Sequence, residues 1–344
     1  MATAQKGTWW RRLYDDLAAN VLRMAAIAPT RTILVGQNST SPLILTIDTA
    51  DIEQASPTVT PRTANGSDVL YGVAHIETEN VTVAVGANGR IENSTDQGLN
   101  WTSQTVSLLP ALWDVVGVSG DQSRFVAAGH NSIWVQNQSA VWTRHWQGSQ
   151  PWYGVAHKPS TGWCLVGPNG YVTTSPTALN GTFLTPFQIT IYGLNKVKAN
   201  SQMFMAVGGF GKIFRSETGA SGSWNEVSLP GNPNLYNITP LDSDSTWAVI
   251  DTLGYIWYTE NNGSTWTAIE ERSLYYGASG LTASSDYRYG LAMGGRANFH
   301  VTYDQEQADY VQPDDVLQTA PPALNANDDM AGDAVGRLVT QFRG

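Results

Sequence analysis

The chain has 344 residues, 42% of them hydrophobic and only 14% charged, with 19 Lys and Arg against 29 Asp and Glu for a net charge of −10. Nucleic-acid binding draws on cationic side chains, so this balance, with no basic stripe, excludes that partner class. A chain of this length buries a core without disulfides. Its single cysteine, Cys164, lies in the apolar run Trp163–Val166 and reads as a buried strand thiol.

The first twelve residues lack the apolar run of a secretory signal, so synthesis and initial solubility in the cytoplasm are expected. No stretch reaches the length of a transmembrane helix. Residues 1–20 are expected to form a helical segment, with Thr8 as N-cap and a stripe of Trp9, Leu13 and Leu17 widened by Trp10 and Tyr14. Trp9, Trp10 and Leu13 are therefore candidate partner contacts.

From residue 21 to 312 a repeat takes over. A short apolar run ends in glycine at Gly36, Gly86, Gly129, Gly167, Gly208 and Gly294, with Asp251 in the same slot between the last two. The marks recur at intervals of about 43 residues. An aromatic-led run precedes most of them, as in Leu70-Tyr71-Gly72-Val73, Leu112-Trp113-Asp114-Val115 and Trp152-Tyr153-Gly154-Val155, with Val21–Ala25 standing in for the first. A third strand follows each mark, then a turn and an aromatic at Trp101, Trp142, Phe183, Trp224 or Trp266. Four short strands with turns fill about 40 residues, which is one propeller blade. The fold expected is all-β: a seven-bladed β-propeller with short helical segments at both termini, each blade holding its own four strands. The aromatics that open each blade are expected in the core.

Past Pro321-Pro322, residues 313–344 are expected to form a linker and a short helix over Asp328–Phe342, acidic at its start and basic at its end. Its stripe of Met330, Ala334, Leu338 and Phe342 makes Leu338 and Phe342 further contact candidates. Trp146 and Trp152 flank the inter-blade connection Gly148–Pro151 and are candidates too, because aromatics dominate interface energetics.

Two turns carry a common pattern. Ser94, Asp96, Gly98 and Trp101 fall on Ser-x-Asp-x-Gly-x-x-Trp, and Thr259, Asn261, Gly263 and Trp266 repeat it with Thr for Ser and Asn for Asp. Longer, degraded copies run from Ser175 to Phe183 and from Ser216 to Trp224. The pattern resembles the Asp box (BNR repeat), a fold-stabilising hairpin in which side-chain oxygens hold the turn and the Trp packs between sheets. The wider frame is similar to photosystem II assembly factor-like propellers and to BNR-repeat proteins of bacteriophages.

Resemblance to the Asp-box sialidases would imply an arginine trio gripping a carboxylate. Arg23, Arg31, Arg62, Arg90, Arg124, Arg144, Arg215, Arg272, Arg288 and Arg296 lie in the repeats, none in the Arg-Ile-Pro setting that opens those domains. His75 and His157 share one repeat position and read as structural, or as lining a central channel. Asp242-Ser243-Asp244-Ser245 lacks the further ligands of a calcium loop and reads as a solvated turn. No catalytic, metal-binding or cofactor-binding residue is expected. The function expected is that of a non-catalytic structural or adaptor protein contacting other proteins of one assembly, in a multi-copy ring, through its rims and termini. The resemblance places it in a bacteriophage tail. The alternatives are a carbohydrate-binding or sialidase-like module that takes a surface glycan, and a bacterial assembly factor similar to the photosystem II one.

Overall fold

The computed structural model describes residues 11–14, 20–28, 31–38, 41–48, 58–64, 66–106, 110–120, 123–146, 148–269, 278–283, 289–294 and 298–303. They form seven four-stranded antiparallel sheets. The first strand in the chain, β1 (Arg11–Tyr14), belongs to the last sheet. Blade 1 holds β2 (Asn20–Ala28), β3 (Arg31–Asn38), β4 (Ser41–Asp48) and β5 (Thr58–Arg62). Blade 2 holds β6 (Leu70–Ile76), β7 (Val81–Gly86), β8 (Arg90–Ser94) and β9 (Thr102–Thr105). Blade 3 holds β10 (Leu112–Gly117), β11 (Ser123–Gly129), β12 (Ser132–Asn137) and β13 (Trp142–Trp146). Blade 4 holds β14 (Gly154–Lys158), β15 (Gly162–Val166), β16 (Tyr171–Ser175) and β17 (Phe187–Gln188). Blade 5 holds β18 (Leu194–Ala199), β19 (Phe204–Gly208), β20 (Lys212–Ser216) and β21 (Asn225–Ser228). Blade 6 holds β22 (Leu235–Pro240), β23 (Trp247–Asp251), β24 (Ile256–Thr259) and β25 (Thr267–Ala268). The last sheet contains β26 (Ala278–Ala283), β27 (Tyr289–Gly294) and β28 (Asn298–Tyr303), with β1 as its outermost strand. The first strand of each blade packs beside that of the next, and β26 packs beside β2, which closes a ring.

This architecture corrects the expected one in two ways. Six blades are complete in sequence, but the seventh is composite, because β1 pairs antiparallel with β28. Residues 11–14 are therefore strand where a helix was expected, and Leu13 sits at a register shift in that ladder. The i, i+4 apolar spacing lost to the backbone groups that β28 leaves unpaired, which a strand satisfies and a helix does not. Among the described residues the only helical turns are the 3-10 segments Glu77–Glu79, Ala87–Gly89, Pro168–Gly170 and Gly209–Gly211. The C-terminal helix expected over 328–342 lies outside the described residues.

The glycine marks have a steric origin. A Cβ on Gly86 or Gly208 would lie 2.0 Å from the carbonyl oxygen of Val69 or Gly193, just ahead of the first strand. In blade 6 Asp251 takes this slot, and its Oδ1 accepts from the N–H of Leu253 and Tyr255 to hold the turn.

The core is a set of layers between blades. Trp101 packs against Ile33, Val35 and Ile44 of blade 1, and Trp142, Phe183, Trp224 and Trp266 each reach the blade before their own. Cys164 is buried in the layer between blades 4 and 5, and burial pushes its thiol pKa up.

Candidate interaction face

In an antiparallel blade the first strand begins where the second ends, so one face of the ring gathers the starts of first strands and the turns between second and third strands. It is called the upper face here. The turns between third and fourth strands lie on the lower face.

The lower face holds the Asp-box-like turns. Ser94 Oγ accepts from Gly98 N at 2.9 Å and donates to Asp96 Oδ1 at 2.8 Å. Asp96 accepts from Asn100 N and Nδ2, and these bonds, the backbone one foremost, lower its pKa. Trp101 Nε1 donates to the Gly98 carbonyl at 2.9 Å. Gly98 has φ +77°, and a Cβ there would meet Ile33 Cδ1 of blade 1 at 2.3 Å. Thr259, Asn261 and Gly263 repeat the scheme, with Gly263 N donating to Thr259 Oγ1 at 3.1 Å and Thr265 N to Asn261 Oδ1 at 2.9 Å. Ser175 and Ser216 hold their longer turns through Ala178 N and Gly219 N, each at 2.8 Å. These side chains are spent on holding hairpins. Asp242 likewise accepts from the N–H groups of Asp244, Ser245 and Thr246, so that segment is a capped turn.

The upper face is built differently. The first strands of blades 2, 3, 5 and 6 slip register directly after their opening leucines, at Tyr71, Trp113, Asn195 and Tyr236. A bulge re-aims the side chain it carries. Leu70, Leu112, Leu194 and Leu235 are fully buried, whereas Tyr71, Trp113, Tyr153 and Tyr236 are half-buried. The aromatics that open blades are thus not simply core as expected. The Trp113 ring lies 5.1 Å from Tyr153 and 5.8 Å from His130, edge to face in both cases.

One residue further in, the ring is plugged. Asp114 of blade 3 pairs with Lys196 of blade 5 and accepts from Val155 N of blade 4 at 3.0 Å. Gly154 makes this span possible, since a Cβ there would lie 2.9 Å from Val197 N and 3.0 Å from Lys196 Cα. Burial raises the Asp114 pKa, but Lys196, Lys198 and the two hydrogen bonds outweigh it, and the net shift is downward.

Toward the rim of blades 4 to 6 the upper face turns apolar. The turn residue between second and third strands is Asn88 in blade 2 (φ 53°) and Asn169 in blade 4 (φ 54°). Blade 5 puts Phe210 there with φ 58°, and blade 6 puts Leu253. Phe210 is 55% exposed, Leu253 58% and Ile191 75%. Tyr192 stacks on Phe210 at 4.7 Å, and Lys212 Nζ lies 5.9 Å from the Tyr192 ring. Lys212 also pairs with Glu226.

Of the sequence candidates, Trp152 is fully buried between blades 3 and 4 and is unavailable to a partner. Its position beside a Gly-Pro connection suggested a rim, but it takes the slot of the buried leucines that open other blades. Trp146 ends β13 opposite Ile133. Trp9, Trp10, Leu338 and Phe342 lie outside the described residues. His75 is tied to Thr82 at 2.9 Å, and burial is the main cause that lowers its pKa to about 4. His157 packs on Trp163. Most described arginines are structural: Arg31 pairs with Asp48, Arg90 with Glu92, Arg124 with Glu79, and Arg215 reaches across to Asn262 and Ser264 of blade 6. No group of three His, Cys, Asp or Glu among the described residues could hold a metal ion. No described helix is long and apolar enough to cross a membrane.

No protein-family model and no curated protein sequence matches the chain. Solved structures do. YCF48 bound to a D1 peptide superposes with a TM-score of 0.68 at 15% identity, covering 87% of this chain and 97% of that one. YCF48 from Cyanidioschyzon merolae gives 0.65 at 13%, covering 86% and 98%. The WD40 β-propeller domain of Doa1 gives 0.67 at 7%, covering 88% and 97%. The likeness is one of fold. It bears on the assembly-factor half of the resemblance read from the sequence and not on the bacteriophage half.

Proposed function

We propose that this chain is a non-catalytic binding propeller that holds a polypeptide segment of a partner protein on its upper face, in the manner of an assembly factor. The observation that carries this is the ridge of Ile191, Tyr192, Phe210 and Leu253. A phenyl side chain at positive φ costs about 1 kcal/mol or more, where asparagine in the same turn of blades 2 and 4 pays less. Exposed aromatic and aliphatic side chains kept together at such a cost fit a contact surface. One of the YCF48 structures holds a peptide, which supports the assembly-factor reading above the bacteriophage-tail reading. The buried ionisable pairs Asp114–Lys196 and Arg90–Glu92 are occupied with each other, which fits binding without catalysis.

Selection from a displayed peptide library tests this. The protein should enrich peptides carrying two or three apolar residues, and the Phe210→Asn, Leu253→Asn double variant should lose them at an unchanged fold. Equal enrichment by the double variant, or none by the natural protein, contradicts the reading.

A further inference from the structure

One arginine stands outside the structural set. Arg144 on β13 has no carboxylate partner among the described residues, and its Nε has no hydrogen-bond partner in the protein. Its Nη2 donates to the carbonyl of Asn131 at 3.2 Å, which fixes the guanidinium plane. Directly opposite it in the ladder is Trp134 of β12. Both line a pocket of about 380 Å³ with Pro110, Ala111, His130, Asn131 and Ser132. Trp134 is 4% exposed and Ser132 1%, yet the Trp134 Nε1 and Ser132 Oγ also lack partners in the protein. Elsewhere the indole donors of Trp101, Trp224, Trp247 and Trp257 are bonded within the protein.

The chemistry of the lining names its ligand. An indole N–H and a guanidinium N–H only donate, so what fills the pocket must accept. The one charged lining group is a cation, so the acceptor that gains most is an anion. A planar guanidinium held from one side offers a two-pronged edge that matches a carboxylate. Pro110, Ala111 and the Trp134 ring leave the remaining wall apolar, which suits a short hydrocarbon stem. A buried donor left unsatisfied costs free energy, so the site is organised for this occupant before it arrives.

We propose that the pocket between Pro110 and Arg144 binds a carboxylate carried on a short apolar stem, either an acidic side chain or the end of a chain. The site stands on its own atoms and does not depend on the ridge of blades 4 to 6.

Titration followed by the fluorescence of Trp134 and by NMR shifts tests it with four probes. Acetyl-glutamic acid α-amide stands for the side-chain source, acetyl-leucine for the chain end, and acetyl-glutamine amide and acetyl-leucinamide are their neutral counterparts. At least one acid should bind tenfold or more tightly than its neutral counterpart, and the acid preferred identifies the source. Arg144→Gln should weaken that acid tenfold or more, and Trp134→Phe, which keeps the ring and removes the donor, several-fold. Phe210→Asn should leave it unchanged, so this site and the ridge fail separately. If Arg144→Gln does not fold, Trp134→Phe and Arg144→Lys carry the same comparison. Equal binding of acid and amide, no binding of either acid, or affinity unmoved by these variants overturns the proposal.

Discussion

At the scale of single residues, the turns on the two faces do opposite work. Trp101 closes its hairpin and fills the layer against blade 1. Its replacement by Ala should cost about 3–5 kcal/mol in denaturant unfolding. A cost near zero would contradict its placement between blades. Phe210→Asn should do the reverse and raise stability by about 0.5–1 kcal/mol, because asparagine tolerates the left-handed region better. A measurable loss would mean that the phenyl ring is held for packing and not for contact. His75 sets a pH dependence. Its folded pKa of about 4 lies below the ordinary 6.5, so the unfolded chain binds the extra proton between these values. Its contribution is intact above pH 6.5 and is lost as pH falls toward 4. Allowing for its partial exposure, about 1–2 kcal/mol should disappear over that range. His75→Gln should flatten that part of a stability-versus-pH curve, and an unchanged slope would contradict the assignment. The hairpin residues were legible in the sequence because Ser, Asp, Gly and Trp at fixed spacing have one local use. Arg144 and Trp134 were not, because what sets them apart is the absence of partners, which spacing does not encode.

At the scale of elements, the strand marks were readable because each glycine answers a steric demand repeated from blade to blade. The bulges were not. A register slip at Tyr71 or Trp113 turns an aromatic from the core to the face without altering the apolar pattern. The N-terminal segment misled for a related reason. Four residues with mixed apolar spacing satisfy a helix template locally, while the demand they meet, the open edge of β28, lies almost 300 residues away. Deleting residues 1–14 should therefore lower the melting temperature by roughly 5 °C or more, since the last blade loses its outermost strand. A melting temperature unmoved by the deletion would remove β1 from the closure. The same segment supplied as a separate peptide should restore part of the loss.

At the scale of the whole molecule, the lower face is devoted to holding blades together and the ring is plugged at Asp114 and Lys196, which leaves the upper face as the surface free to act. Its polar side runs through Asn88 and Asn169, and its apolar side through Phe210 and Leu253. That asymmetry around a repeated fold is what the functional proposal rests on, and fold resemblance alone would not supply it. The most direct measurement is hydrogen exchange of the protein with and without a peptide selected on it. Slowed exchange should map to the segments around Ile191–Gly193, Gly209–Gly211 and Thr252–Gly254. The turns at Thr95–Asn100 and Glu260–Thr265 should be unaffected. Protection confined to those lower-face turns, or spread evenly over both faces, would contradict the account.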